Sequence, residues 1–145
     1  MFRSRAATVS VEAKSIQLQI DADARLAAAA GGAARYFAES AGLASAEVRE
    51  FDKSVVAACE EAFEHLTGEH PHLTVTLTRY PDRLEVAMAH KGGRQPAVGL
   101  DRVAGFANQL GSGGLGGVER VQYEAHEGLA VTRLTKYLGH APHIA

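Results

Sequence analysis

The chain has 145 residues, with 15 basic and 17 acidic side chains, seven histidines and a formal net charge of −2. At roughly 100–200 residues per domain this is one domain, and the balance of charge argues against a nucleic-acid binder held by phosphate contacts, which needs a basic surplus. No run of 18 apolar residues is present, no apolar h-region follows the charged start Met1–Arg5, and the single cysteine, Cys59, excludes an internal disulfide or a cysteine-cluster metal site, so the expectation is a reduced cytoplasmic domain with no membrane span and no signal peptide.

Residues 1–14 are polar and read as a flexible N-terminal arm. Ile16, Leu18 and Ile20 then alternate with Gln17 and Gln19, the pattern of a half-buried strand. Asp21-Ala22-Asp23 can cap the Ala-rich helix expected over Ala24–Ala41, with Gly42 as its stop. Gly31-Gly32 interrupts that helix. Each Gly costs roughly 1 kcal/mol in a helix interior, so the pair either kinks the helix or admits another backbone. Ser45 reads as the next N-cap. Val48, Phe51, Val55, Cys59, Ala62 and Leu66 form one apolar stripe, and Gly68 closes that helix.

Residues 73–78 and 84–88 alternate cleanly around the turn Tyr80-Pro81-Asp82, which predicts a hairpin. Lys91 to Ala97 reads as a Gly/Pro loop, and Leu100, Val103, Ala104, Ala107 and Leu110 predict a third helix. Gly111 to Gly117 reads as a flexible connector. Val118–Tyr123 and Leu129–Leu138 form a closing hairpin through His126-Glu127-Gly128, and residues 140–145 a short tail. The fold class expected from this order is α+β: a two-layer sandwich with a mixed, mostly antiparallel sheet and about three helices on one face.

Ordinary chemistry accounts for most of the polar clusters. Glu60, Glu61 and Glu64 form an acidic helix face, solvated or docking a basic partner. His65, His70 and His72 with Glu64 and Glu69 match no metal-ligand spacing, so no metal site is expected. Cys59 lies on the apolar stripe and reads as a buried structural thiol. The glycine run is followed by neither the Lys nor the Ser/Thr of a P-loop.

The order and spacing of these elements resemble the histidine-kinase-type ATPase fold over about residues 15–139. More narrowly, they resemble the bacterial anti-sigma factor serine kinases of partner-switching systems. The carriers are Ile16–Ile20, the Ala-rich helix, Val55–His65, Arg83-Leu84-Glu85-Val86 and Val131–Leu138. The resemblance implies three nucleotide-binding boxes. In the family's Glu-Ala-x-x-Asn-Ala-x-x-His box, Ala58, Ala62 and His65 match, but Ala57 stands at the base position and Glu61 at the magnesium-holding Asn. In the Asp-x-Gly box, Gly92 matches and His90 replaces the adenine-reading Asp. The phosphate-cradling Gly-x-Gly turn has two candidates. One is Gly113, Gly114 and Gly116, closer by letters but with too few residues after it for a covering helix. The other is Gly99, which opens the predicted helix and is preferred for that reason.

By these positions the resemblance implies nucleotide contacts at Glu61, His65, His90, Gly92, Gly99, Gly113, Gly114 and Gly116, with no catalytic residue and no metal ligand. The resemblance implies a non-catalytic regulator that binds a sigma factor or an anti-sigma antagonist, with a homodimer possible and no cofactor. The alternative is an active serine/threonine-protein kinase, using Mg2+ and ATP, with Glu61 on the metal and His90 on adenine.

Overall fold

The computed structural model describes residues 14–69, 71–91, 101–103 and 116–139, with the backbone alone for 101–103 and His126. The order is β1 (Lys14–Asp21), α1 (Ala24–Ser40), α2 (Ser45–Phe63), β2 (His72–Arg79), β3 (Arg83–Lys91), β4 (Asp101–Val103), β5 (Arg120–His126) and β6 (Leu129–Tyr137). The sheet runs β1-β2-β3-β6-β5-β4. Two meanders meet where β3 pairs with β6, Val86 opposite Leu134. Every neighbouring pair is antiparallel, so the mixed sheet expected from the sequence is corrected to an antiparallel one.

Alternation sets the two faces of this sheet. Leu73, Val75 and Leu77 on β2 are fully buried, as are Leu84, Val86 and Met88 on β3, Val121 on β5 and Leu134 on β6. They meet the apolar stripe of α2, where Phe51, Val55 and Cys59 are 0% exposed. This is the two-layer α+β sandwich, with both described helices in one layer. Burial pushes the Cys59 thiol up to about 12, so it stays protonated and packs as a small hydrophobe.

The helices sit close because α1 presents small residues to α2. Ala27, Ala30, Gly31, Ala34 and Ala38 are its buried face. A Cβ on Gly31 would collide with Asp52 Oδ1 and lie 2.6 Å from Val56 Cγ2. Gly31 is therefore the close-approach residue, whereas a Cβ on Gly32 meets nothing. Asp23 caps α1 by accepting from the Arg25 N–H at 2.8 Å. At the other end Gly42 takes φ +87° and the Leu43 N–H bonds back to the Ala38 carbonyl at 3.2 Å, a Schellman-type stop.

Three local expectations change. The N-cap of α2 is Ala44 rather than Ser45; it supplies no side-chain acceptor, and the Glu47 carboxylate accepts the Ala44 N–H at 3.4 Å instead. That helix ends at Phe63, well before Gly68. The third helix is overturned at its start: residues 101–103 form β4, paired to Gln122, Val121 and Arg120. The free edge of β5 offers hydrogen bonds that outweigh a weak helical spacing. Residues 104–110 lie outside the described residues, and the described helices number two.

A buried lysine ties the layers at the far end of β6. Lys136 Nζ lies 3.1 Å from Glu119 and 3.6 Å from Glu47 at the start of α2. The second oxygen of Glu119 accepts the Tyr137 N–H at 2.7 Å.

Candidate functional site

Glu61, His65 and His90, which the family boxes place together, do share one cleft. It is a cavity of about 20 Å3 between α2 and the sheet, walled by Ala58, Glu61, Ala62, His65, His90, Tyr123 and Thr132. Helical spacing explains the α2 side, because residues 58, 61, 62 and 65 recur at three- and four-residue intervals. His90 comes from the helix-facing side of β3, in line with Val86 and Met88. The opposite wall, Tyr123 and Thr132, is a directly paired couple on β5 and β6. Neither was singled out from sequence, although the Val121/Tyr123 alternation carries the signal.

The volume decides what the cleft can hold. A water needs about 10–15 Å3 of such space, so this cavity admits about one.

His90 is 6% exposed and its Nδ1 has no hydrogen-bond partner. Burial pushes the imidazole below its ordinary value of 6.5; a backbone contact at Lys91 offsets part of this, and the nearby His65 adds to it. The neutral ring is the favoured form. Below about pH 6.5 the unfolded chain takes up a proton at this position that the folded chain resists, so stability falls as the pH drops towards the folded value. We expect urea midpoints measured between pH 7.5 and 5.5 to decline in the parent and to decline less in His90→Gln; equal slopes would contradict the assignment.

The remaining box positions are arranged differently. Ala57 does not wall the cleft. It lines an outward groove of about 300 Å3 with Arg35, Arg49, Asp52, Lys53, Val56 and Glu60. Glu60, Glu61 and Glu64 are all exposed, as expected for a solvated acidic face. Gly92, Gly99, Gly113 and Gly114 lie outside the described residues. With residues 101–103 in a strand, the helix expected to open at Gly99 does not begin there, which removes the reason for preferring Gly99; residues 104–110 lie outside the described residues.

Gly116 and Gly117 form a turn that leads into β5 with no helix between. Gly116 is exposed, but Gly117 is buried against the start of α2. Its N–H donates to Ser54 Oγ at 2.8 Å. A Cβ there would collide with the Glu50 carbonyl and lie 2.8 Å from Phe51 N. Ser54 is one helical turn before Ala58, so this contact sits on the cleft side of α2. A backbone N–H engaged by a serine hydroxyl is not free to cradle phosphate. The end of the glycine run is thus a packed joint rather than a flexible connector.

Among the described residues no group of three His, Cys, Asp or Glu side chains is placed to hold a metal ion. His65 is half-buried and His72 exposed, and His70 lies outside the described residues. No described helix is long and apolar enough to cross a membrane.

No family model matches the chain. Over 108 residues it is 32% identical to the serine-protein kinase RsbW of Bacillus pumilus, an overlap of 63% of this chain and 66% of that protein. The chain is thus similar to a serine-protein kinase while spanning just under two thirds of its length.

Proposed function

We propose that this chain is a cytoplasmic regulator of the anti-sigma type that acts by binding proteins and no longer transfers phosphate. The observation that carries the reading is the cleft at the nucleotide position: about 20 Å3, with the Glu61 carboxylate and the buried His90 as walls. A triphosphate brought there meets a carboxylate where the family has a neutral amide, and like charges at short range repel. The base position is Ala57, which cannot take a proton and faces the outward groove. A positioned base contributes roughly 10²–10⁴-fold, and metal and phosphate clamps supply most of the rest in phosphoryl transfer. The Gly117 N–H is already spent on Ser54. The similarity to a serine-protein kinase supports the pathway, and the departures at Ala57, Glu61 and His90 support the loss of chemistry.

The partner is a sigma factor or an anti-sigma antagonist. The test is to mix the full chain with each purified candidate from the same genome, without nucleotide, and read complex formation by light scattering. A stoichiometric complex with one of them is the expected result. If neither binds, and the antagonist instead gains phosphoserine in Mg-ATP, the chain is an active kinase using Glu61 and His90.

A further inference from the structure

The sheet ends on a bare strand. Its outer strand on one side is β1, which pairs with β2 and has no neighbour along its other edge among the described residues. That edge presents backbone N–H and C=O groups along eight residues, a template for a further strand. Natural edges are commonly blunted by charge, proline or a bulge. Here residues 15–20 carry no charge and no proline, and all of β1 pairs with β2 in unbroken register. The two charges of the strand stand at its ends, Lys14 and Asp21.

The helix layer above this edge is apolar as well. Ile16 and Leu18 share the helix-facing side of β1 with the buried Ile20, yet Ile16 is 37% exposed and Leu18 only half-buried. On α1, Gly31 and Arg35 face α2 through Asp52. Helical geometry puts Leu26, Ala29, Ala33 and Tyr36 on the opposite side, at three- and four-residue intervals. Ala29 is exposed, and Tyr36 is 61% exposed. Because α1 packs on β1 and β2, this strip continues the row of Ile16 and Leu18 up from the sheet edge.

We propose that β1 pairs antiparallel with β1 of a second copy of this chain, which joins the two sheets into one and sets the two α1 helices side by side above the join. The occupant follows from the strand itself. A ladder pairs only residues whose N–H and C=O groups both point across the join, so the numbers of facing residues sum to an even number. Facing residues share a side of the sheet, and both helix layers therefore lie on one side. With Leu18 facing its own copy, Ile16 faces Ile20 and Gln17 faces Gln19, so apolar meets apolar and amide meets amide. Antiparallel pairing also brings the basic end, where Lys14 lies opposite Arg79, to the Asp21 end of the second copy. With strands about 4.8 Å apart, a helix above β1 and β2 stands about 10 Å from its copy, a distance at which side chains as small as Ala29 and Ala33 let two helices touch. The surface and the register come from this edge alone, so the inference goes beyond the regulatory reading and does not depend on it.

The test is analytical ultracentrifugation of the full chain, whose mass is 15.3 kDa. Twice that mass, with a dissociation constant below about 10 μM, is the expected result. Gln17→Glu combined with Gln19→Glu puts like charges opposite each other across the join and weakens the dimer about tenfold or more. Gln17→Lys combined with Gln19→Glu puts opposite charges there and keeps the dimer within about threefold of the parent. Both pairs change exposed side chains, and circular dichroism checks the fold. Ala29→Glu, at an exposed helix position away from the strand, also weakens the dimer about tenfold or more, and it decides the outcome if a strand variant fails to fold. The mass of a single chain at about 100 μM overturns the proposal, whether the edge is then bare or covered by residues 1–13. So does a dimer that is equally tight in the two double variants, because its interface lies elsewhere.

Discussion

Replacing Gly117 with valine is expected to destabilise the chain by about 3 kcal/mol or more, through two effects. The new side chain has no room: even its Cβ would collide with the Glu50 carbonyl and press on Phe51 N, both of which are backbone and cannot turn aside. Overpacking of this kind costs about 1–3 kcal/mol, occasionally more. Relief comes only by withdrawing the turn from α2, which breaks the 2.8 Å bond to Ser54 and leaves a buried hydroxyl unpaired, worth about 1–3 kcal/mol. Ser54→Ala removes only the second effect and should cost less. Gly116→Val, one residue away on an exposed position, should stay within about 0.5 kcal/mol. Chemical denaturation of the three variants separates a packed joint from a loose linker. Equal, small effects at 116 and 117 would mean that the glycine run does not dock on α2.

Phe51→Ala should cost about 3–5 kcal/mol, the usual range for emptying a fully buried aromatic site. Phe51 lies in the α2 stripe between Val48 and Val55, and all three are buried against the sheet. Its backbone N is also the atom that a Cβ on Gly117 would approach, so the two sites are neighbours and their effects will not add. For a chain of this length the loss corresponds to a fall of the melting temperature on the order of 10 °C. A fall of less than about 2 °C would show that the α2 stripe does not pack as described.

The sequence carried the elements whose periodicity is strong. The Thr/apolar alternation at 73–78 and the Leu84, Val86, Met88 alternation at 84–88 became β2 and β3, and the stripe from Val48 to Ala62 became the buried face of α2. Gly31 makes room for α2, but for the Asp52 and Val56 side chains rather than for another backbone. Long-range pairing was not legible. Nothing local says that β3 pairs with β6, which is what makes the sheet antiparallel throughout. Nor does the spacing at Leu100–Leu110 reveal that β5 recruits residues 101–103 as a neighbour strand. The cleft was legible only in part. Glu61, His65 and His90 came together through the family boxes, not through periodicity, and Tyr123 and Thr132 required the β5–β6 register. The docking of Gly117 on Ser54, 63 residues apart, left no mark in the glycine run.

The central claim is that the nucleotide position no longer takes nucleotide. Calorimetric titration of Mg-ATP into the purified full chain tests it most directly, with Mg-ADP as the second ligand. The account predicts no saturable heat at millimolar nucleotide, consistent with a cleft of about 20 Å3 walled by Glu61 and His90. A dissociation constant tighter than about 100 μM, roughly −5.5 kcal/mol, would contradict it.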